Sequence, residues 1–252
     1  MTTMYTNSRT NPLKGLFLPL ILTATAACNP TYAPPARAGL GGAPATPKKA
    51  AVDVGAATLL TLESVGASGD FGVGVNDWVQ VEGGVWGMRV SGESAMVLGY
   101  AGARVNPLAA LERSSKVRPT SDVEAGIGAG AGGQNCRDRS ILESCVAEGV
   151  SRHAAGGGYL GGAVGFDVVD VFDLYARTRL QLAGAESVPT TFWYIAAMGM
   201  QFTIAKRLRF FLDGGFAGYV NEYDNLYGFY GELGMSVRVF DPPPRHTDKV
   251  ED

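Results

Sequence analysis

The C-terminal part of the chain alternates between apolar and polar positions. The pattern is clearest from Tyr227 to Phe240, which reads YGFYGELGMSVRVF. One parity holds the apolar residues Phe229, Leu233, Met235, Val237 and Val239, and the other holds Tyr230, Glu232, Ser236 and Arg238. Because successive side chains of a strand point to opposite faces, this run predicts a β-strand with one apolar and one charged face.

Four runs upstream repeat the alternation and keep their charges on one parity. They cover residues 153–168, 172–183, 191–204 and 207–220. Each run reaches the roughly 9–11 residues that a tilted strand needs to cross a bilayer. Aromatic residues gather toward the strand ends, as in the interfacial girdles of membrane barrels.

The N-terminal half is less regular but predicts five more strands. They fall within 54–64, 71–75, 78–90, 94–105 and 122–133. Ten strands satisfy the even number expected of bacterial membrane barrels, and eight remain possible if 54–75 lies outside the wall. The segment from Pro107 to Pro119 is too long for a short turn and is a candidate for a short helix.

Composition favours lipid, rather than water, on the apolar faces. Only 18% of residues are charged, and the chain holds 35 glycines. The apolar faces mix Phe, Leu and Met with Gly and Ala, which suits lipid contact. We therefore expect an all-β, antiparallel up-and-down transmembrane β-barrel of about ten strands. A soluble β-barrel or sandwich is the alternative.

The charged parity then predicts a charged lumen. Its candidate residues are Glu82, Arg177, Arg179, Arg209, Asp213, Glu232 and Arg238. A narrow barrel has room for side chains but little open water, so opposite charges can pair and fill it. An ion-selective constriction is the other possibility. Inner glycines leave space for large side chains such as Arg179 and Tyr159.

The N-terminus has the features of an export signal. Polar residues with Arg9 and Lys14 precede the apolar stretch 16–22, small residues follow, and then Cys28. The exit Thr25-Ala26-Ala27-Cys28 is similar to the lipobox of bacterial lipoproteins, in which the Cys is acylated; cleavage after Ala27 or Ala33 without acylation is the alternative. The predicted regions are a signal peptide at 1–27, a lipidated N-terminus and flexible Pro/Ala/Gly-rich tether at 28–50, a barrel at 51–240 and a polar tail at 241–252.

Cysteine spacing predicts a disulfide in an external loop. Cys136 and Cys145 bracket a short polar stretch, and Cys28 is the third of the 3 cysteines in the chain. No His or second Cys pair stands near at zinc spacing, so we predict no metal site.

The chain offers little sign of catalysis or of cofactor binding. Two G-x-G-x-x-G matches, at 128–133 and 156–161, lack a following helical pattern and are interpreted as glycine-rich strands. His153 lies beside Ser151, but nothing in the sequence supplies a third group to orient them. We expect no enzyme activity, no cofactor and, from the net charge of −3, no nucleic-acid partner.

These features together resemble small bacterial outer-membrane barrels of the OmpA-like and OmpW-like kind. The run 227–240, which ends in an aromatic residue, is similar to the C-terminal signal that barrel-assembly machinery recognises. The resemblance implies an exported protein of the outer membrane, partnered by the bilayer and the assembly machinery. The expected role is structural, surface-binding or small-pore. The alternative is a periplasmic lipoprotein with a soluble β domain that binds a ligand or partner.

Overall fold

Ten β-strands make up almost all of the described chain. The computed structural model describes residues 33–242 except 62–63, 91–93, 109–117, 136–149, 170, 186–187, 205–206 and 223–224. The strands are β1 (Val52–Thr61), β2 (Ser64–Gly74), β3 (Val79–Val90), β4 (Ser94–Val105), β5 (Arg118–Asn135), β6 (Val150–Val169), β7 (Phe172–Ala185), β8 (Val188–Ile204), β9 (Leu208–Val220) and β10 (Asn225–Phe240).

Each strand pairs antiparallel with its neighbours in sequence, and β1 pairs with β10 to close the barrel. The prediction of a ten-stranded up-and-down barrel is confirmed. Eight strands are excluded because β1 and β2 are both wall strands. The second strand begins at Ser64 rather than Phe71, and β5 and β6 continue their pairing to Asn135 and Val150, beyond the predicted strand ends.

The barrel is apolar outside and charged inside. Phe229, Leu233 and Met198 are 54, 60 and 74% exposed on the outer face. Among strand residues whose side chains the structure describes, all Asp, Glu, Lys and Arg fall on the inward parity. Such an inverted surface is that of a barrel whose wall meets lipid. The chain is therefore a transmembrane β-barrel.

The described residues include no helix that is long and apolar enough to cross a membrane.

The connections between strands are divided between the two ends of the barrel. One end, the turn end, carries the connections 75–78, 106–117, 170–171 and 205–207, together with the start of β1 and the end of β10. The opposite end, the loop end, carries 62–63, 91–93, 136–149, 186–187 and 221–224. Each wall strand runs between these two ends.

Residues 33–47 lie inside the barrel, which corrects the prediction of a flexible tether for this part of the chain, and residues 48–50 lead from the turn end into β1. Ala36 and Leu40 are 0% exposed and Arg37 is 3% exposed. The Pro/Ala/Gly composition that predicted flexibility also makes the chain thin, so its backbone fits between wall side chains. Gly41 and Gly42 have φ values of 80° and 76°, a left-handed conformation that glycine adopts without strain. We call 33–50 the lumen segment.

Several predictions concern residues outside the described part of the chain. These are the signal peptide with Cys28, the pair Cys136 and Cys145, most of the segment 107–119, and the tail beyond residue 242. Ser151 and His153 lie in β6, but their side chains are likewise outside the described part. The two glycine motifs lie in β5 and β6, as predicted.

Candidate functional site: the lumen and the segment that crosses it

The predicted lumen residues occupy two levels of the barrel. Glu82, Arg177, Arg179, Asp213 and Glu232 are all buried, with at most 8% of their surface exposed. Arg209 and Arg238 lie nearer the turn end, where both are partly buried. Arg238 pairs with Asp53 of β1 at 3.0 Å.

Glu124 of β5 is the centre of the buried charges, although the sequence analysis did not select it. Arg179 Nε donates to its Oε1 at 2.7 Å. Its Oε2 lies 3.3 Å from Arg104 Nε and 3.4 Å from Nη1 of both Arg177 and Arg37. One carboxylate is thus shared by four guanidinium groups, all in a space closed to solvent.

A second carboxylate, that of Glu82 in β3, forms ion pairs with two of the same arginines. Arg104 Nε lies 2.8 Å from Glu82 Oε2, and Arg37 donates to Oε1. The Arg37 guanidinium carbon also stands 4.4 Å from the centre of the Tyr100 ring and 5.6 Å from that of Tyr159. This position over two aromatic rings adds cation–π attraction to the ion pairs.

The wall arginines also hold the backbone of the lumen segment. The Leu40 carbonyl accepts hydrogen bonds from Arg177 at 2.9 Å, Arg179 at 3.3 Å and Arg104 at 3.4 Å. Arg179 donates a further bond to the Gly39 carbonyl. Because an extended chain cannot satisfy its own peptide groups, these side chains replace the ladder that a strand would provide.

Other wall side chains satisfy the remaining peptide groups along the segment. Gln181 accepts from Arg37 N at 2.9 Å and donates to Arg37 O at 2.8 Å. Glu232 accepts from Leu40 N at 2.7 Å. Asp122 accepts from Ala45 N at 2.9 Å and pairs with Arg177 at 2.8 Å. The segment is therefore bound by the wall at many separate points.

Inward glycines supply the space for this arrangement, as the sequence suggested. A Cβ on Gly102 or Gly126 would overlap the Tyr159 hydroxyl, and one on Gly128 would overlap the Ala36 carbonyl oxygen. A Cβ on Gly161 would come within 2.9 Å of Glu124 Oε1. These positions tolerate only glycine because side chains or the segment backbone take the volume.

Most of the lumen residues missing from the prediction could have been found from the alternating pattern. Arg104, Asp122 and Glu124 share the inward parity of their strands, which the alternating pattern reveals. Arg37 has no such signal, because it lies outside every strand and among Pro, Ala and Gly. Its role depends on the segment's entry into the barrel, which no local pattern encodes.

Most charges in the lumen are paired with one another. Most buried carboxylates of the network face arginines, whereas Asp213 accepts from the Tyr175 hydroxyl through Oδ1 and its Oδ2 has no hydrogen-bond partner in the described part of the chain. The described residues contain no cluster of three or more His, Cys, Asp or Glu that could hold a metal ion. An apolar cavity of about 100 Å³ remains near the loop end, beside Pro35, Leu59 and Tyr230.

No protein-family model matches the chain, and no curated protein matches its sequence. Solved structures with a similar shape include three bacterial barrels. The N-terminal β-barrel domain of Pseudomonas aeruginosa OprF is 11% identical, with a TM-score of 0.39 over 75% of this chain and 97% of that one. The translocator domain of the autotransporter NalP from Neisseria meningitidis is 11% identical, with a TM-score of 0.35 over 90% and 96%. The outer membrane protease OmpT from Escherichia coli is 8% identical, with a TM-score of 0.33 over 75% and 93%.

Proposed function

We propose that this protein is a non-enzymatic outer-membrane barrel whose lumen is closed by its own residues 33–50. Its role is to hold the N-terminal segment and the external connections at the membrane surface rather than to conduct solutes. Acylation of Cys28 supplies a second attachment to lipid. The C-terminal strand β10 engages the barrel-assembly machinery during insertion.

The main support for a closed lumen is the set of hydrogen bonds between the lumen segment and side chains of the wall. Leu40 O accepts from three wall arginines, and Gln181 pairs with both peptide groups of Arg37. The backbone and the arginines that hold it occupy the centre of the barrel. A hydrated ion needs a continuous file of water, for which a lumen filled in this way has no room.

Planar-bilayer recording tests the closure. The wild-type protein is expected to give no steady conductance. In Gly128→Val, the new side chain would overlap the Ala36 carbonyl oxygen, so the segment has to shift and open events are expected. The matched control is Ala129→Val, at the next residue of β5 and on the lipid-facing side. A steady conductance shared by all three proteins would refute the closed lumen.

Membrane fractionation separates this proposal from a soluble periplasmic lipoprotein. A Cys28→Ser variant loses the acyl anchor, but the barrel wall keeps its apolar outer face, with Leu233 60% exposed. We expect the variant to stay in the membrane after carbonate extraction and to migrate differently on gels with and without heating. Complete release by carbonate would favour the soluble alternative.

A further inference from the structure

The lumen segment has a direction. Its first described residue, Ala33, is bound at the loop end: Ala33 N donates to Thr191 Oγ1 at 2.9 Å, and Trp193 Nε1 donates to Ala33 O at 2.7 Å. Both partners lie near the start of β8, directly after the connection 186–187. The chain therefore enters the barrel from the loop end.

The other end of the segment is fixed at the turn end. Ala50 N donates to Gly74 O at 2.7 Å, at the last residue of β2. Lys48 Nζ lies 2.7 Å from Asp241 Oδ1, just after β10. Between these points the partners follow one another in order, with Arg37 at Gln181 and Ala45 at Asp122. The segment crosses the whole barrel once, without turning back.

We infer that the amino-terminal segment crosses the membrane through its own barrel and presents the residues before Ala33 on the face opposite the C-terminal tail. The inference rests on the proposed function, because it requires the barrel to span a membrane. β1 starts and β10 ends at the turn end, so the tail after Phe240 leaves from there. The amino-terminal residues leave from the loop end, on the side of the connection 136–149.

The same geometry decides where an acyl group on Cys28 would lie. Cys28 precedes Ala33 by five residues, which span at most ~17 Å when fully extended. β7 has 14 residues, so at ~3.3 Å per residue and a tilt of ~40° it covers ~35 Å across the membrane. Five residues cannot lead back across that distance, even if the lumen were free. The acyl chains would insert into the leaflet at the loop end.

Labelling of single cysteines tests the topology in the full-length, membrane-inserted protein. Thr31→Cys probes the amino-terminal residues, Arg139→Cys the connection 136–149, and Thr247→Cys the tail. All three are made with Cys136 and Cys145 replaced by Ser, and the same chain with no added cysteine gives the baseline for Cys28. The probe is a membrane-impermeant maleimide, applied to intact cells and again after the membrane is opened.

We expect Thr31→Cys to label in intact cells to the same extent as Arg139→Cys, with Thr247→Cys labelled only after opening. Labelling of Thr31→Cys together with Thr247→Cys would overturn the inference and leave the barrel intact. If the three sites label to the same extent as one another in intact cells, and again after opening, the proposed membrane barrel would instead be overturned. Heat-dependent gel migration of each variant verifies that it has folded.

Discussion

Replacing Arg179 with Met tests whether the shared carboxylate holds the barrel interior together. The Arg179 side chain is 0% exposed and lies 2.6 Å from Glu124 through Nη2. In the variant, Glu124 keeps only contacts of 3.3 Å or more to other arginines, and the Gly39 carbonyl loses its wall donor. Breaking a buried pair on one side typically costs about 3–5 kcal/mol when the other charge is left unpaired, and because Glu124 keeps three arginines we expect a loss of about 3 kcal/mol.

Arg238→Met is the matched control, because it removes the same type of side chain from a pair with more access to solvent. Arg238 and Asp53 have 11% and 16% of their side chains exposed, so water replaces part of the lost interaction. We expect a loss of about 1–2 kcal/mol in the free energy of unfolding. The double variant of Arg179→Met with Glu124→Gln should lose less than the sum of the two single changes, since the two residues share one interaction.

Urea unfolding in lipid vesicles measures these differences. Trp86 is 1% exposed and lies inside the barrel, where its Nε1 donates to Ala36 O at 3.3 Å. Its fluorescence therefore follows the loss of the filled interior. If Arg179→Met lowers the free energy of unfolding no more than Arg238→Met does, the central role given to Glu124 is refuted.

Two further changes test the segment at its middle and at its end. Gly42→Ala should lower the free energy of unfolding by about 1–2 kcal/mol, because the φ of Gly42 is 76° and a Cβ would lie 3.0 Å from a Phe211 ring carbon. The control is Gly184→Ala, where a Cβ meets nothing within 4 Å. It should be nearly neutral in the same urea titration. The hydrogen bond from Lys48 lowers the pKa of Asp241, so this contact is fully present above the usual Asp pKa and is lost as the pH falls through the lowered pKa. Lys48→Met should raise the pKa of Asp241 toward the ordinary range in a carboxyl NMR titration, and an unchanged pKa would contradict the assigned cause.

The wall of the barrel was predictable because apolar and polar residues alternate with a period of two along its strands. In β10, Leu233 and Met235 point to lipid and Glu232 to the lumen, as the parity alone indicated. The residues at which the strands begin and end were harder to predict. β5 continues past the predicted end at residue 133 through Gln134 and Asn135, and β6 begins at Val150 rather than at 153; these mostly polar residues carry no alternating signal.

The contents of the lumen were only partly predictable. Arg177, Arg179 and Glu232 could be selected because they belong to regular strands. Arg37 could not, since the local composition around it is equally typical of a solvated linker. What distinguishes the two outcomes is the set of distant partners, such as Gln181, which is separated from Arg37 by 144 positions. Such contacts join residues far apart in the sequence, so no local pattern encodes them.

The path of the lumen segment also constrains the order of assembly. The segment runs directly into β1, and β1 closes the ring by pairing with β10, the last of the ten strands. Drawing the amino-terminal end through a finished ring would require every arginine bond in its way to break first. We therefore expect the segment to take its place before β1 and β10 pair, so that closure of the ring around it is the last step of folding.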